Sequence, residues 1–222
     1  MSDSLQVLRE FTVRFDYGRS HTTVEVCAAG QRAPVIRMHK DYAHHAEIGY
    51  EVCAVDRPQE VLGYVGPSSA FGADRQRVGT VSRYGRRFGP VSWSVLQHDL
   101  GGLTGRAAGA NSRVRQAPVA REFLNLRSLD ALLSVSLRFS GPQSDGFDFT
   151  RRAGVLAAYE VKIHDPRVNR LLVLALVGYF NEFGSIDPRK TAVSLTTNPF
   201  QGYGRIRAAQ KRRQARQDGQ QP

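Results

Sequence analysis

Arginine clusters are the feature of this chain with the clearest chemical potential. A guanidinium group forms paired hydrogen bonds with phosphate or carboxylate oxygens, so several arginines close together predict an anion-binding site. Two basic, glycine-containing turns fit this description, and they would form one site if two halves of the fold were related by pseudo-symmetry. The candidate residues are Arg83, Arg86, Arg87, Arg106, Arg113, Arg115, Arg151 and Arg152. The alternative interpretation is a set of ordinary solvated loops.

The C-terminal segment 200–222 is a second concentration of positive charge. Its basic residues are opposed only by Asp218, and Gln, Ala and Gly make up most of the rest. This composition predicts a disordered tail, and a mobile charged tail can also attract anionic lipid or nucleic acid. Its basic residues are Arg205, Arg207, Lys211, Arg212, Arg213 and Arg216.

Side chains of the types that bind metals occur in one short stretch. They are His39, Asp41, His44 and His45. Their spacing does not match a four-ligand set, and neither cysteine lies in a paired motif. We therefore interpret them as polar turn residues and predict neither a metal site nor a cofactor.

Two His-Asp pairs invite a catalytic interpretation. His98-Asp99 and His164-Asp165 each follow a predicted strand, which explains them as residues of strand ends. No serine lies in a G-x-S-x-G turn, and Gly85–Gly89 lacks the GK[ST] ending of a phosphate loop. We predict that the protein is not an enzyme, and a small-molecule hydrolase is the weakest of the alternatives considered.

Composition limits the partners and the compartment. The chain has 222 residues, 41% of them hydrophobic, and a net charge of +11. Its pI of about 10.2 favours anionic partners, namely acidic lipid, acidic protein or nucleic acid. Cys27 and Cys53 lie in alternating apolar runs, which favours buried free thiols in a reducing cytoplasm, although spacing alone leaves a disulfide open. The excess of Arg over Lys is typical of a high-GC bacterium.

Short alternating segments dominate the chain before residue 164. Each places apolar residues on one face, as in half-buried strands, and Gly and Pro separate them. Many such strands at this spacing predict a sandwich or a barrel. The predicted strands lie at 11–15, 24–26, 35–38, 50–55, 61–65, 91–95, 133–139, 147–149 and 159–163.

One helix is predicted near the end of the chain. Asp165 would be its N-cap, Pro166 its first residue and Gly184 its stop, giving a helix at about 166–183. The segment 171–180 has no polar face, so it must be enclosed. At roughly 18 residues and ~27 Å it suits the centre of a domain better than a membrane span. We therefore expect a closed antiparallel barrel around this helix, in a domain at 1–199.

A short repeat suggests two related halves. Trp93-Ser94-Val95 is followed by His98-Asp99, and Tyr159-Glu160-Val161 is followed by His164-Asp165. Both match aromatic-x-Val-x-x-His-Asp, and a basic turn precedes each copy. The match predicts a duplicated sheet unit.

These segments together resemble the tubby-like superfamily, and most closely its phospholipid scramblase and LURP-one-related branch. The resemblance covers roughly residues 11–183. It rests on the repeated halves, the segment Phe147–Arg152, the strand Tyr159–Ile163, the Asp165 cap and the late apolar helix. It implies about twelve strands closed around one C-terminal hydrophobic helix. It also implies a binding domain, since tubby domains bind phosphoinositides through basic residues and scramblase-like members associate with membranes.

The chain also departs from scramblases. It lacks their proline-rich N-terminal region and cysteine cluster, and no acidic loop has calcium-ligand spacing. The resemblance therefore implies the fold and not lipid scrambling. We expect a cytoplasmic, non-enzymatic domain that binds anionic lipid headgroups or an acidic partner at a membrane surface, without a transmembrane span. Nonspecific nucleic-acid binding through the same charge is the alternative, and the sequence does not indicate the oligomeric state.

Overall fold

The computed structural model describes residues 3–18, 21–41, 49–85, 91–108, 134–153 and 158–183. Within them, a short helix α1 (Asp3–Gln6) precedes twelve strands, and a longer helix α2 (Arg170–Phe183) follows. The strands are β1 (Glu10–Tyr17), β2 (His21–Ala28), β3 (Ile36–Asp41), β4 (Tyr50–Ala54), β5 (Val61–Val65), β6 (Ser69–Gly72), β7 (Arg77–Gly85), β8 (Val91–Gln97), β9 (Gly101–Ala107), β10 (Val135–Gly141), β11 (Ser144–Arg151) and β12 (Ala158–Ile163).

The strands form one closed antiparallel barrel. Each pairs with the next along the chain, and β1 closes the ring by pairing with both β2 and β12. Closure leaves no sheet edge unpaired, which removes the surface that promotes edge-to-edge aggregation. The prediction of a closed antiparallel barrel of about twelve strands is confirmed. We call the end at which β1 and α2 finish the upper end, and the opposite end the lower end.

Alternation along the strands fills the interior. In β1, for example, Phe11, Val13 and Phe15 are buried while Arg14 and Asp16 point outward. Side chains of successive strand residues point to opposite faces, so an apolar period of two places one complete set inside the barrel. One continuous hydrophobic core results, and it includes both the inner strand residues and α2.

Helix α2 is enclosed on every side. All residues from Leu172 to Leu176 have 0% relative exposure, so protein covers the whole circumference of the helix. Its nearest strands are β5, β6, β7 and β8. Farther along, the ring of Phe180 lies 4.9 Å from that of Trp93 and 5.0 Å from that of Phe149. The prediction that a wholly apolar helix is wrapped by the chain's own sheet is confirmed.

Three strands were not predicted from the sequence, namely β6, β7 and β9. Each contains glycine at a point of close approach, and glycine weakens the pattern by which a strand is recognised. A Cβ on Gly79 would lie 2.9 Å from Leu172 Cδ2, and one on Gly105 would lie 2.7 Å from the Phe139 ring. These glycines make space for the helix and for a stacked pair, since the Phe139 and Phe147 rings are 4.7 Å apart.

The start of α2 corrects the sequence prediction. The helix begins at Arg170, four residues later than predicted, and Asn169 is its cap: Asn169 Oδ1 accepts the Leu171 N–H at 2.9 Å. Asp165 instead closes a turn in which its Oδ1 accepts the Arg167 N–H at 3.0 Å. An Asp-Pro pair favours either a cap or a turn, and the turn is what connects β12 to the helix. Gly184 lies outside the described residues.

The lower end of α2 is fastened by buried polar side chains. Arg170 is 1% exposed, and its guanidinium donates to the carbonyls of Leu8 and Pro166 at 3.0 and 2.7 Å. Burial lowers the pKa of Arg170 from its ordinary value. Gln97 joins β8 to the same region, because its Oε1 accepts the Asn169 N–H at 2.8 Å. These bonds fix where the helix enters the barrel.

We predict that Asp165 makes the fold sensitive to acid. Its bonds to Arg167 hold the pKa of the Asp165 carboxyl well below its ordinary value, against the opposing effect of burial. The ionised form therefore stabilises the fold above the unfolded pKa of ~3.9, and this contribution is lost as pH falls through the folded pKa. In urea titrations, Asp165→Asn should lower the free energy of unfolding at pH 7 and should flatten its decline below about pH 4.

Asp56→Asn is the matched control for this experiment. The Asp56 side chain is 76% exposed, so the acid dependence of that variant should follow the wild type. An Asp165→Asn protein with the wild-type acid dependence would refute the assignment.

The two copies of the short repeat occupy β8 and β12. Trp93 and Tyr159 are both buried, and both rings pack against Phe180. The copies thus have equivalent positions relative to the helix. The two copies lie four strands apart in the barrel. If the barrel were made of two equivalent halves of six strands each, the copies would lie six strands apart. The relation between the two halves therefore stays a prediction.

Both cysteines are free, Cys27 buried and Cys53 partly exposed. The prediction of free thiols agrees with this, but the prediction that both are buried is wrong for Cys53, which alternation places on the outer face of β4. No helix among the described residues combines the length and the apolar character needed to cross a membrane.

Candidate anion-binding end of the barrel

The positive charge of the chain is concentrated in segments attached to the upper end. Among the described residues, sixteen Lys and Arg face fifteen Asp and Glu, which leaves almost no net charge. The other residues contain fifteen basic against five acidic side chains. Except for residues 1–2, each of these segments is joined to the fold at the upper end. They are 19–20, 42–48, 86–90, 109–133, 154–157 and 184–222.

Arg83 lies on β7 near the upper end, and not in a turn as predicted. It is exposed, and its guanidinium carbon is 5.6 Å from the centre of the Trp93 ring on β8. Trp93 is itself 5% exposed and packs against Phe180 and Tyr179 of α2. A cation over a tryptophan face is attracted by the ring quadrupole, by ~0.5–1 kcal/mol at an exposed site. The helix therefore supports Trp93, and Trp93 orients Arg83.

Arg106 lies on the outer face of β9, again on a strand and not in a turn. Its cross-strand neighbour on β10 is Arg138, and two like charges in this position repel. Arg138 is compensated by Asp148 on β11, with 3.0 Å between Nη1 and Oδ1. The exposed guanidinium of Arg106 has no carboxylate of its own among the described residues.

Arg151 is the last residue of β11 and Arg152 follows it, and the two differ in their surroundings. Arg151 is 1% exposed and donates through Nη1 to the Arg152 carbonyl at 3.4 Å, so it is part of the interior. Arg152 is exposed and bonds to the Glu160 carboxylate on β12, which raises the pKa of Arg152. Arg151 is therefore shielded from the surface, and the charge of Arg152 is balanced by Glu160.

The structure brings only some of the predicted residues together. Arg83 on β7 and Arg106 on β9 are two strands apart, which corresponds to about 10 Å. Arg151 lies four strands from Arg83, about 19 Å around the wall by the same spacing. They share one end of the barrel without forming a single pocket. Several predicted residues lie outside the described part, namely Arg86, Arg87, Arg113, Arg115 and the tail residues Arg205, Arg207, Lys211, Arg212, Arg213 and Arg216.

A buried polar layer that was not predicted from the sequence supports this end. Asn181 of α2 donates to Tyr17 Oη at 2.5 Å and accepts from Tyr159 Oη at 2.9 Å. Beside it, Lys40 on β3 pairs with Glu182, with 3.7 Å between Nζ and Oε1. The layer ties the last turn of the helix to β1, β3 and β12. A polar doublet directly after an apolar run, Asn181-Glu182, is the signal that could have indicated it.

Tyr50 completes the layer. Lys40 Nζ lies 4.6 Å from the centre of its ring. Burial, followed by the Glu182 carboxylate and Tyr17, raises the pKa of Tyr50 well above its ordinary value. Tyr50 therefore stays neutral in the neutral pH range.

An exposed aromatic side chain accompanies the basic residues. Tyr84 follows Arg83 on β7, one residue before the strand ends, and is 64% exposed. Tyrosine has an apolar ring and a polar tip, a combination suited to the boundary between an apolar phase and water. A large exposed aromatic at the upper end adds an adhesive group to the charge.

The residues considered as metal ligands do not assemble within the described part. No group of three or more His, Cys, Asp or Glu side chains there is arranged to hold an ion. The His39 ring instead lies 5.5 Å from that of His21, on the outer wall. His44 and His45 lie outside the described residues.

The two His-Asp pairs both lie at the lower end. His164 Nε2 is 2.8 Å from Asp148 Oδ2, while Asp165 bonds to Arg167. In the other pair, His98 is exposed and Asp99 accepts from Gln97 Nε2 at 2.7 Å. Asp165 thus has its partner in the connection that follows β12, and Asp99 has its partner in Gln97, the last residue of β8.

Comparisons of the chain with protein-family models, with curated proteins and with solved structures gave no match.

Proposed function

We propose that the protein is a non-enzymatic binding domain that attaches end-on to an anionic membrane surface. The upper end of the barrel faces the lipid headgroups, and Arg83, Arg106 and Tyr84 are its described contact residues. The observation that carries the proposal is the one-sided charge: the described residues are almost neutral, and the basic excess is joined to the fold at one end.

A charge distributed over one end suits a surface better than a single small ligand. Arg83 shares the inner face of the sheet with Trp93 near the barrel's upper end, whereas Arg106 lies on the outer face, so their guanidinium groups do not converge on one phosphate. A membrane presents many headgroups at once, and each basic residue near an acidic surface contributes ~1 kcal/mol. The closed barrel and its supported helix keep Arg83 and Tyr84 in fixed relative positions.

The resemblance to the tubby-like superfamily supports the same proposal. It implies a barrel around a hydrophobic helix and basic residues that bind phosphorylated lipid headgroups. Membership of that superfamily, and of its scramblase and LURP-one-related branch, is part of what we propose. Lipid scrambling is not.

Vesicle co-sedimentation tests the proposal. The protein should sediment with vesicles that contain phosphatidylserine and should remain in the supernatant with phosphatidylcholine alone. Binding should fall steeply at ~1 M salt, where the Debye length is only ~3 Å. Arg83→Glu should weaken binding several-fold, since a basic residue at an acidic surface contributes ~1 kcal/mol and its reversal adds repulsion.

Arg32→Glu is the matched control, because it makes the same charge change in an exposed loop at the lower end. It should sediment like the wild type. An equal loss of vesicle binding for Arg83→Glu and Arg32→Glu would show that only the net charge matters, and it would refute end-on binding. Equal sedimentation with neutral and acidic vesicles would refute it as well.

Nucleic acid is the competing partner, because phosphates attract the same basic segments. A gel-shift series at increasing salt, run with the full chain and with a chain ending at Phe200, examines it directly. Retardation of DNA without sedimentation on acidic vesicles would replace the membrane proposal with the nucleic-acid one.

A further inference from the structure

A groove of about 560 Å³ lies on the outer wall of the barrel. It runs across β3, β4 and β5 and takes in part of the β4–β5 connection. Its volume falls in the range of small-molecule sites, 300–1,000 Å³. The side chains that give it chemical character are Arg37, His39, Glu51, Cys53 and Tyr64. Its lining includes Lys40, which also belongs to the buried polar layer, and does not include Arg83 or Arg106.

Tyr64 provides an aromatic wall. It lies opposite Glu51 on β4 and opposite Phe71 on β6, in one cross-strand row. The guanidinium carbon of Arg75 is 5.2 Å from the centre of the Tyr64 ring, and Arg77 has the corresponding position over Phe71 at 5.9 Å. A ring has two faces, so Tyr64 can hold Arg75 on one and a planar group on the other. Stacking of this kind accepts any flat aromatic ring.

Arg37 provides a cation that can change partners. Its Nη2 is 3.4 Å from Glu25 Oε1, and the two side chains are 50% and 37% exposed. An ion pair this exposed contributes little, so a phosphate that accepts two hydrogen bonds can compete with it. Arg37 lies opposite Cys53 in the register of β3 and β4, which places its Cα on the wall of the groove.

Glu51 provides an acceptor beside Tyr64, and Arg37 lies one row farther along the groove, opposite Cys53. The neighbours of Glu51 across the sheet are His39 on one side and Tyr64 on the other. Glu51 Oε1 lies 3.8 Å from Cys53 Sγ, and burial together with the Glu51 charge raises the pKa of the Cys53 thiol. The sulfur is thus kept as a neutral thiol, which favours binding over nucleophilic chemistry in this groove. A carboxylate in this position can accept hydrogen bonds from an amino group on a ring.

We propose that this groove binds a nucleotide, a planar amino-bearing base carrying a phosphate. The base stacks on Tyr64, its amino group donates to Glu51, and the phosphate is held by Arg37. The combination of aromatic wall, acceptor and cation distinguishes this ligand from a lipid headgroup, which offers phosphate without an aromatic ring.

Isothermal titration of the full chain with adenosine monophosphate tests this proposal, with ribose 5-phosphate, adenosine and inorganic phosphate as comparison ligands. The nucleotide should bind at least about tenfold more tightly than ribose 5-phosphate, because the sugar phosphate lacks the stacked base. Tyr64→Leu should remove this preference, whereas Tyr64→Phe should retain it. Arg37→Gln should weaken the nucleotide without weakening adenosine.

Tyr84→Leu is the matched control, because Tyr84 is another outward tyrosine on a distant strand. It should bind the nucleotide like the wild type. The Tyr64 variants should sediment with acidic vesicles as the wild type does, so the nucleotide and membrane proposals can fail separately. Equal affinity for inorganic phosphate and nucleotide, equal losses for Tyr64→Leu and Tyr84→Leu, or no binding at millimolar nucleotide would overturn the proposal.

Discussion

A protein carrying Leu174→Asp should not form the native barrel. Leu174 is in the middle of α2 and has 0% exposure, so the substitution removes a fully enclosed side chain and introduces a charge with no place for water. Loss of the leucine alone costs about 2–5 kcal/mol, and a buried unpaired charge costs several kcal/mol more. The sum is comparable to the whole stability of a typical domain, about 5–15 kcal/mol. Circular dichroism during heating should therefore show no cooperative transition.

Leu96→Asp is the control for Leu174→Asp. Leu96 is on the outer face of β8 and 50% exposed, so the same substitution there should change the free energy of unfolding by about 0.5 kcal/mol or less. If the Leu174→Asp protein melted like the wild type, α2 would not be enclosed, and the barrel around it would have to be abandoned.

Gly79→Ala should have the second largest effect, although it adds only one methyl group. The new Cβ would lie 2.1 Å from the Leu96 carbonyl oxygen and 2.9 Å from Leu172 Cδ2. The first contact is with the backbone of the paired strand, so relief requires moving β7 away from β8 or shifting the helix. Overpacking of this kind costs about 1–3 kcal/mol, and backbone displacement adds to that. The midpoint of urea denaturation should fall accordingly.

Gly102→Ala on β9 is the counterpart of Gly79→Ala. A Cβ at Gly102 would have no other atom within 4 Å. Alanine there restricts the unfolded chain, so stability should stay level or rise by up to ~1 kcal/mol. Equal midpoints for the two variants would mean that β7 and α2 do not approach each other as closely as described.

The membrane and nucleotide proposals concern different parts of the barrel. The membrane proposal uses the basic segments that join the barrel at its upper end. There the Arg83 guanidinium lies over the Trp93 ring, and the Trp93 ring packs against Phe180 of α2. The nucleotide proposal uses side chains of β3, β4 and β5 on the outer wall. Because each has its own variants, Arg83→Glu for the membrane and Tyr64→Leu for the nucleotide, binding to one ligand can be removed while the other is measured.

Local patterning predicted short strands of a sandwich or barrel and one enclosed helix, whereas the count of about twelve strands came from the family resemblance. An apolar period of two, as in Phe11, Val13 and Phe15, specifies an inner and an outer face without reference to any other strand. The helix required no tertiary information either, because a segment with no polar face can be stable only where protein or lipid surrounds it. The excess of Arg and Lys in the C-terminal segment follows from composition alone.

Tertiary structure decided which side chains meet. Arg151 and Arg152 are adjacent in sequence, yet one is buried and the other pairs with Glu160, because β11 places successive residues on opposite faces. Arg106 was a candidate from the sequence, and its register adds that its neighbour on β10 is a second arginine, Arg138. Tyr64 became the wall of a groove through its pairing with Glu51. Local periodicity determines which face of a strand is buried. The neighbours of each residue around a barrel depend on strand order and register, which are set by contacts between distant parts of the chain.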